Sequence, residues 1–558
     1  MTGRHARVDL LLRGGRVVDG TGAPWRHADV LVAKGLITGV VPPGSFDGEA
    51  EEVIDADGLV VAPGFVDIHS HSDLALLARP GAEEKLRQGI TTEVVGNCGI
   101  SVAPVTGEHL LDCQQYALPV LAFAEVEWDW ADTAGYLTRI ERTGPAVNVA
   151  TYVGLGSIRC AVSAFDPAPP TADQRRLMRE LTRQALEQGA VGVSTGLVYA
   201  PGSYASHEEI CELVGEAARA GALYSSHMRD QGDGFLESVA ETLDVGRRTG
   251  AAVQIAHHKV VGARNWGKVS DSLAMLHAAR AEGIDAASDV YPYLAGSTTM
   301  TALLPDWTLD GGRHAMLRRL ADPTDRERIK RDWVSGRPSW DNRVASLGWD
   351  NIYIAHVATD ANQDLVGLSV TAAALVRQRE AHPEDFLLDL LLDEHGAVGN
   401  VQMACAEDDL RLVMSDPTTT FGSDGLYAGS RPHPRLHGTF PRILGEYVRE
   451  TGLLTLEEAI RKMTSQPARR LGLTGIGLIE PGYAADLVAF DADAVAGPAD
   501  YDHPTLHPRG IRHVLVSGRV ALRDSSPTGV RAGRPLRRSR TGLPTPTGID
   551  HRNLEGAS

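Results

Sequence analysis

Eight short apolar, β-branched runs alternate with amphipathic stretches through the middle of this chain. Nearly every run stops at a residue that can do chemistry. The runs are Phe65–His71, Thr91–Cys98, Val147–Gly154, Val191–Leu197, Leu223–Met228, Ala252–His258, Ile284–Tyr291 and Thr418–Asp424. Between them lie helical patterns such as Ala172–Glu187, Ser206–Ala220, Gly234–Thr249 and Ser270–Glu282. Strands that alternate with helices build a parallel sheet. Eight such units predict an α/β chain folded as a (β/α)8 barrel, whose strand ends converge on one mouth. His69, His71, Cys98, His227, His257, Tyr291 and Asp424 fall at or beside those ends. None of them is needed to draw the strands.

The flanks read differently. Val8–Leu12, Arg16–Val18, Asp29–Val32 and Leu36–Val40 are short apolar runs punctuated by glycines, and the pattern returns at Leu487–Phe490, Val514–Val516 and Arg519–Leu522. One small β domain built from both termini is expected. The expected organisation is 1–62 and 475–535 for that domain and 63–474 for the barrel, with a tail over 536–558. The tail begins basic, turns polar and Pro/Gly-rich, and is expected to be disordered. The seventh and eighth runs are too far apart for an ordinary loop. An insertion over about 300–415, with helical patterns at Arg313–Arg331 and Phe386–Glu394, is expected there as a lid over the mouth.

Composition removes several classes of function. The formal net charge is -18 and no extended basic block appears in the body, which argues against a nucleic-acid partner. Five cysteines, Cys98, Cys113, Cys160, Cys211 and Cys405, are odd in number and irregular in spacing. That is no disulfide framework, and a reducing cytoplasm fits best. The N-terminus carries no secretory pattern, and no uncharged apolar run is long enough to cross a membrane, so no membrane partner is expected.

His69 and His71 are two apart at the end of a strand and share a face, and neutral imidazoles there suit Zn²⁺. The bland alternative is a pair of loop polars. Cys98, between glycines at the second strand end, offers a thiolate that can bind or bridge metals; nucleophilic catalysis is its competing role. The other four cysteines read as small buried apolar residues. His227 and His257 close successive strands, and His258 must face away if His257 faces in. Asp424 is either a helix cap or a base that takes a proton from metal-bound water and hands it to a leaving nitrogen.

The motifs Gly14-Gly15-Arg16-Val17-Val18-Asp19-Gly20-Thr21-Gly22, Pro63-Gly64-Phe65-Val66-Asp67-Ile68-His69-Ser70-His71, Gly96-Asn97-Cys98-Gly99, Ser194-Thr195-Gly196-Leu197, Tyr291-Pro292-Tyr293, Gly422-Ser423-Asp424-Gly425 and Gly482-Tyr483-Ala484-Ala485-Asp486 complete the pattern. Together they resemble the amidohydrolase superfamily, and within it the D-aminoacylases (N-acyl-D-amino-acid deacylases), from about Val8 to about Arg537. The resemblance implies a tightly held Zn²⁺ on Cys98, His227 and His257, and a second, weaker metal position using His69 and His71 with Asp424 and Cys98 nearby. It also implies that Arg435, Tyr291, Ser297 and Lys259 hold a substrate carboxylate and that Tyr199 lines the pocket. Many superfamily relatives bridge two metals with a carboxylated lysine at the fourth strand, but that strand here has none, ending Gly192-Val193-Ser194-Thr195-Gly196-Leu197. Two departures stand out. Arg229-Asp230-Gln231 replaces arginine, any residue, glutamate, and Ala256 stands where a serine is common.

The expected activity is zinc-dependent hydrolysis of the amide bond of a small-molecule N-acyl-D-amino acid. Alternatives are hydrolysis of a cyclic amide or another carboxylate-bearing amide and, from another class, a catalytically inactive scaffold, which should have lost ligands. A solute-binding module gives no reason for a cysteine and four histidines at strand ends. The sequence leaves the oligomeric state open.

Overall fold

In the computed structural model the described residues are 7–377, 382–427, 429, 431–538 and 544–545. Eight parallel strands form the central sheet in strict sequence order. They are Phe65–Asp67, Ile90–Val95, Asn148–Gly154, Gly192–Gly196, Leu223–His227, Ala252–Ile255, Ala286–Val290 and Thr419–Phe421. The second and third are buried along their whole length, as parallel strands covered on both faces must be. The first and eighth strands close the barrel just beyond their ends. There Ser70 bridges Gly425, the Asp424 amide donates to the His69 carbonyl at 2.7 Å, and the His71 amide donates to the Gly425 carbonyl. Closure is thus made by the residues that carry the chemistry.

The outer helices follow their sequence signals. Thr171 and Gln174 form a reciprocal capping box ahead of Ala172–Glu187, which buries Met178, Thr182, Ala185 and Leu186 along one face. Ser206 caps His207–Arg219. The helical pattern Arg313–Arg331 is in fact two helices, Gly312–Ala321 and Pro323–Ser335. Asp322 accepts from the amides of Thr324 and Asp325, and Pro323 fills a first-turn position where its missing N–H costs nothing. A helix start therefore interrupts the pattern.

The second sheet joins both ends of the chain. Leu487–Phe490 pairs antiparallel with Val60–Pro63, which runs parallel to Arg7–Val17. Arg26–Ala33 and Leu36–Val41 extend one side, and Ile511–Val516 and Arg519–Arg523 extend the other. The expected tail at 536–558 lies mostly outside the described residues. Its first residue, Leu536, is buried and donates its amide to the Val149 carbonyl at 2.7 Å.

Between the seventh and eighth barrel strands lies a substantial insertion. It holds a three-stranded antiparallel sheet of Ala295–Thr299, Ile352–His356 and Gly399–Met403. Around that sheet is a separate apolar core that includes Trp307, Ile329, Trp333, Ile352 and Leu387.

Candidate active site

The mouth of the barrel holds a buried cup. It is a small cavity of about 50 Å³ lined by His71, Cys98, His227, His257, Asp424 and Arg435, among others. Asp67, at the end of the first strand, accepts from Lys85 Nζ at 2.8 Å and from the Ser423 amide at 2.7 Å. This locks the loop after the first strand to the loop after the eighth. His69 and His71 leave that loop on one side. Asp289 accepts from the His257 backbone amide at 2.8 Å and contacts His69 Nδ1 at 3.1 Å, so the Nε2 of His69 faces the cup.

Cys98 sits in a left-handed backbone with φ of 54°, between Gly96 and Gly99. A Cβ on Gly96 would lie 2.3 Å from the Tyr152 carbonyl oxygen, and one on Gly99 would lie 2.5 Å from the Gly196 amide nitrogen. Only glycine fits either position, which is why the turn presents the thiol inward. Its Sγ lies 3.4 Å from His69 Nε2 and 3.6 Å from His257 Nε2.

Two sets of donor atoms, each within 4.8 Å of one another, stand side by side: His69, Cys98 and His257; and His69, His71 and Asp424. His227 belongs to neither set. Its Nδ1 lies 2.8 Å from His257 Nε2, and its buried Nε2 has no hydrogen-bond partner. The neighbouring His258 turns outward, with Nε2 2.8 Å from Ser272 Oγ on the covering helix.

The protonation states follow from burial and neighbours. Burial pushes the Cys98 thiol up, but His69 and His227 beside it bring it well below the ordinary range. Burial likewise opposes the Asp424 carboxylate, yet Arg435 and then His69 hold it well below the usual range. Burial, Lys259 and His227 press His257 well below the ordinary imidazole value. His69 goes the other way: despite its burial, Asp424, Cys98 and Asp289 raise it. His71, also opposed by burial, is raised to about 9 by Asp424 and Cys98. Two buried anions therefore draw positive charge to one point.

A cationic wall faces them. Arg435 Nη1 pairs with Asp424 Oδ2 at 2.8 Å, and its Nη2 donates to the Ser297 carbonyl at 3.2 Å. Arg435 and Lys259 both lie over the Tyr291 ring, at 4.7 and 5.2 Å. The buried Tyr291 hydroxyl has no partner. Tyr199 stands edge-on to His227 at 5.3 Å and is hydrogen-bonded to Thr298.

Sequence reading missed four residues that set this geometry: Asp289, Lys85, Arg343 and Glu93, which accepts from Ser70 and Ser72 and pairs with Lys85. Asp289 carried a signal, being a carboxylate inside a buried strand, where unpaired acids are rare. Gln231 Nε2 meets His257 Nδ1 at 3.1 Å, and its Oε1 accepts from Arg343 at 2.8 Å. Arg343 reaches in from the insertion, and no local pattern announces it.

The model of the Amidohydrolase family matches residues 52–325 and 342–522 of this chain. This chain belongs to the amidohydrolase family. Among its family relatives, the N-acyl-D-glutamate deacylase of Alcaligenes xylosoxydans xylosoxydans is 40% identical over 532 residues, covering 95% of this chain and 97% of that one. Two solved amidohydrolase structures superimpose closely. One is an N-acyl-D-glutamate deacylase from Bordetella bronchiseptica, complexed with zinc and a phosphonate mimic of the tetrahedral reaction intermediate. It is 35% identical with a TM-score of 0.81, covering 95% of this chain and all of that one. The other is a D-aminoacylase with a binuclear metal centre, activated by one metal and attenuated by the second. It is 36% identical with a TM-score of 0.80 over the same shares. Among the described residues no helix is long and apolar enough to cross a membrane.

Proposed function

We propose that this chain hydrolyses the amide bond of N-acyl-D-amino acids with the help of zinc, releasing a carboxylate and a free D-amino acid. The observation that carries the reading is the buried cup of one thiol, four imidazoles and one carboxylate, set against a wall of carboxylate-binding groups. Its likeness to deacylases along nearly the whole chain supplies the substrate class and the D configuration.

The donor set fits zinc. A depressed thiol, the His227 and His257 imidazoles pressed toward neutrality by burial, and a His227 Nδ1 that converges on His257 Nε2 form a soft, nitrogen- and sulfur-rich site. Cys98, His227 and His257 would hold a tight ion, and His69, His71 and Asp424 a weaker one. Zinc, when bound, polarises the amide carbonyl and lowers the pKa of water toward ~7.

The chain's own groups do the rest. Asp424, ionised in the free protein, takes the proton of the attacking water on its carboxylate. It then returns that proton to the departing nitrogen. Lys259, the Tyr291 hydroxyl, Ser297 and Arg435 grip the α-carboxylate. Arg435 also touches Asp424, so the grip fixes the amide nitrogen beside the proton donor. Tyr199 lines the opposite side of the cup. Five free cysteines support a cytoplasmic location.

Ninhydrin detection of amine released from matched N-acyl-D- and N-acyl-L-amino acids, with zinc analysis of the same sample, tests the reading. D-selective release by a zinc-loaded protein is expected. Release only from L substrates, or from neither, overturns it. Arg435→Ala should raise KM for these substrates far more than for their carboxamide analogues, because a carboxylate grip is shared by ground and transition states.

A further inference from the structure

A much larger chamber adjoins the cup. That cavity measures about 550 Å³, against about 50 Å³ for the cup. Val120, Val198, Tyr199 and Ala302 line both spaces, and between them lies the neck through which the two would communicate. Beyond the neck the walls are mostly apolar, including Phe123, Phe165, Leu304 and Met316. Two elements supply most of this wall: the helix Leu110–Leu121 after the second strand, and the insertion between the seventh and eighth strands. A cavity of this size and lining takes an organic group of many carbons.

Resting on the reaction proposed above, we infer that this chamber receives the acyl group, and that the enzyme is built for long-chain or aryl-substituted acyl groups rather than for acetyl. Direction decides the occupant. The α-carboxylate grip and the proton donor Asp424 lie together, because Arg435 and Asp424 are 2.8 Å apart. Carboxylate, Cα and leaving nitrogen all belong to the amino-acid side of the scissile bond. A D-residue's side chain branches from that same Cα, on the amino-acid side of the scissile bond. The acyl carbons must leave the cup on the other side. Tyr199, edge-on to His227, and Val198 form that side, and they are the neck of the chamber.

The experiment holds one turned-over D-amino acid constant and lengthens the acyl group from acetyl through butanoyl and hexanoyl to octanoyl, with phenylacetyl added. Each methylene buried in the chamber should raise kcat/KM by about fourfold until the space is filled. Ala397→Trp, which blocks the chamber beyond the neck, should collapse the octanoyl-to-acetyl ratio of kcat/KM toward one. Leu118→Trp repeats the test from the other wall should the first variant not fold. A second series keeps acetyl and enlarges the amino-acid side chain from D-alanine to D-leucine to D-phenylalanine. If acetyl substrates are hydrolysed but kcat/KM is flat with acyl length, the chamber assignment fails while the reaction stands. The assignment fails in the same way if the blocking variants erase a side-chain preference instead of an acyl preference. If no N-acyl amino acid of either series is hydrolysed, the reaction itself is wrong and this inference falls with it.

Discussion

Three residues of the cup, Cys98, His257 and Asp424, hold positive φ angles of 54°, 35° and 49°. Such backbone costs of order 1–3 kcal/mol per residue and persists where the surroundings impose it. Here it turns each side chain inward from a strand end. Asp424→Asn tests the acid–base role cleanly, since asparagine also tolerates left-handed backbone but cannot accept the proton. The rate should fall by ~10²–10⁴ with zinc retained. A mutant within a few-fold of wild type would remove Asp424 from proton transfer. Lys259 carries a pH prediction. Burial, together with Arg343 and Arg435, lowers its ammonium to about 8 although Asp424 opposes this. Below that pH the charged amine grips a carboxylate, and above it the neutral amine does not. kcat/KM should therefore fall as pH rises through about 8. Lys259→Arg, which stays charged, should move that limb upward, whereas an unmoved limb assigns it to another group. The residues gathered in the cup were visible in the sequence because residue type and strand end coincide there. Asp289 and Lys85 were not, because their meaning lies in partners far along the chain: Asp289 meets His69, 220 positions away, and Lys85 meets Ser423, 338 positions away.

At the scale of elements, the alternating pattern gave the barrel strands and most covering helices, since periodicity and capping are local properties. The insertion was visible only as a gap. Its own sheet pairs Ala295–Thr299 with Gly399–Met403 across about a hundred residues, which no window of sequence reveals. Arg343, from this insertion, meets the loop after the fifth strand at Gln231, the position of the departure from glutamate. A histidine that binds metal through Nε2 carries its proton on Nδ1 and needs an acceptor there. With its oxygen turned to Arg343, Gln231 offers His257 a donor instead. A carboxylate would serve both neighbours. Gln231→Glu should therefore slow zinc loss to a chelator by ~10–100-fold, the usual weight of an outer partner of a ligand. Zinc held no more tightly than in wild type would show that the amide is no handicap.

The whole molecule is tied together beneath the barrel, on the side away from the mouth. That both termini share one sheet was legible from their matching glycine-punctuated runs, but the register that places Val60–Pro63 between the two halves was not. The joint runs through Asp486. Its carboxylate accepts from the Ser517 amide at 2.6 Å, in the small sheet, and from Asn148 Nδ2 at 2.9 Å, on the third barrel strand. Burial pushes Asp486 up to about 6, despite those donors and Arg534. An unfolded aspartate titrates near 4, so the folded state favours the protonated form. The favourable contribution is complete below about pH 4 and is lost as pH rises through about 6. The loss is of order 3 kcal/mol for a shift of this size. Asp486→Asn removes the titration while keeping an oxygen for Ser517 and offering Asn148, with its amide turned, a donor. Thermal melting across pH should show the variant more stable than wild type at pH 7.5, with the gap closing toward pH 4.5. If Asp486→Asn instead melts several degrees lower at pH 7.5, the ionised carboxylate stabilises the joint, and the two sheets are held by its charge-assisted bonds rather than strained by its burial.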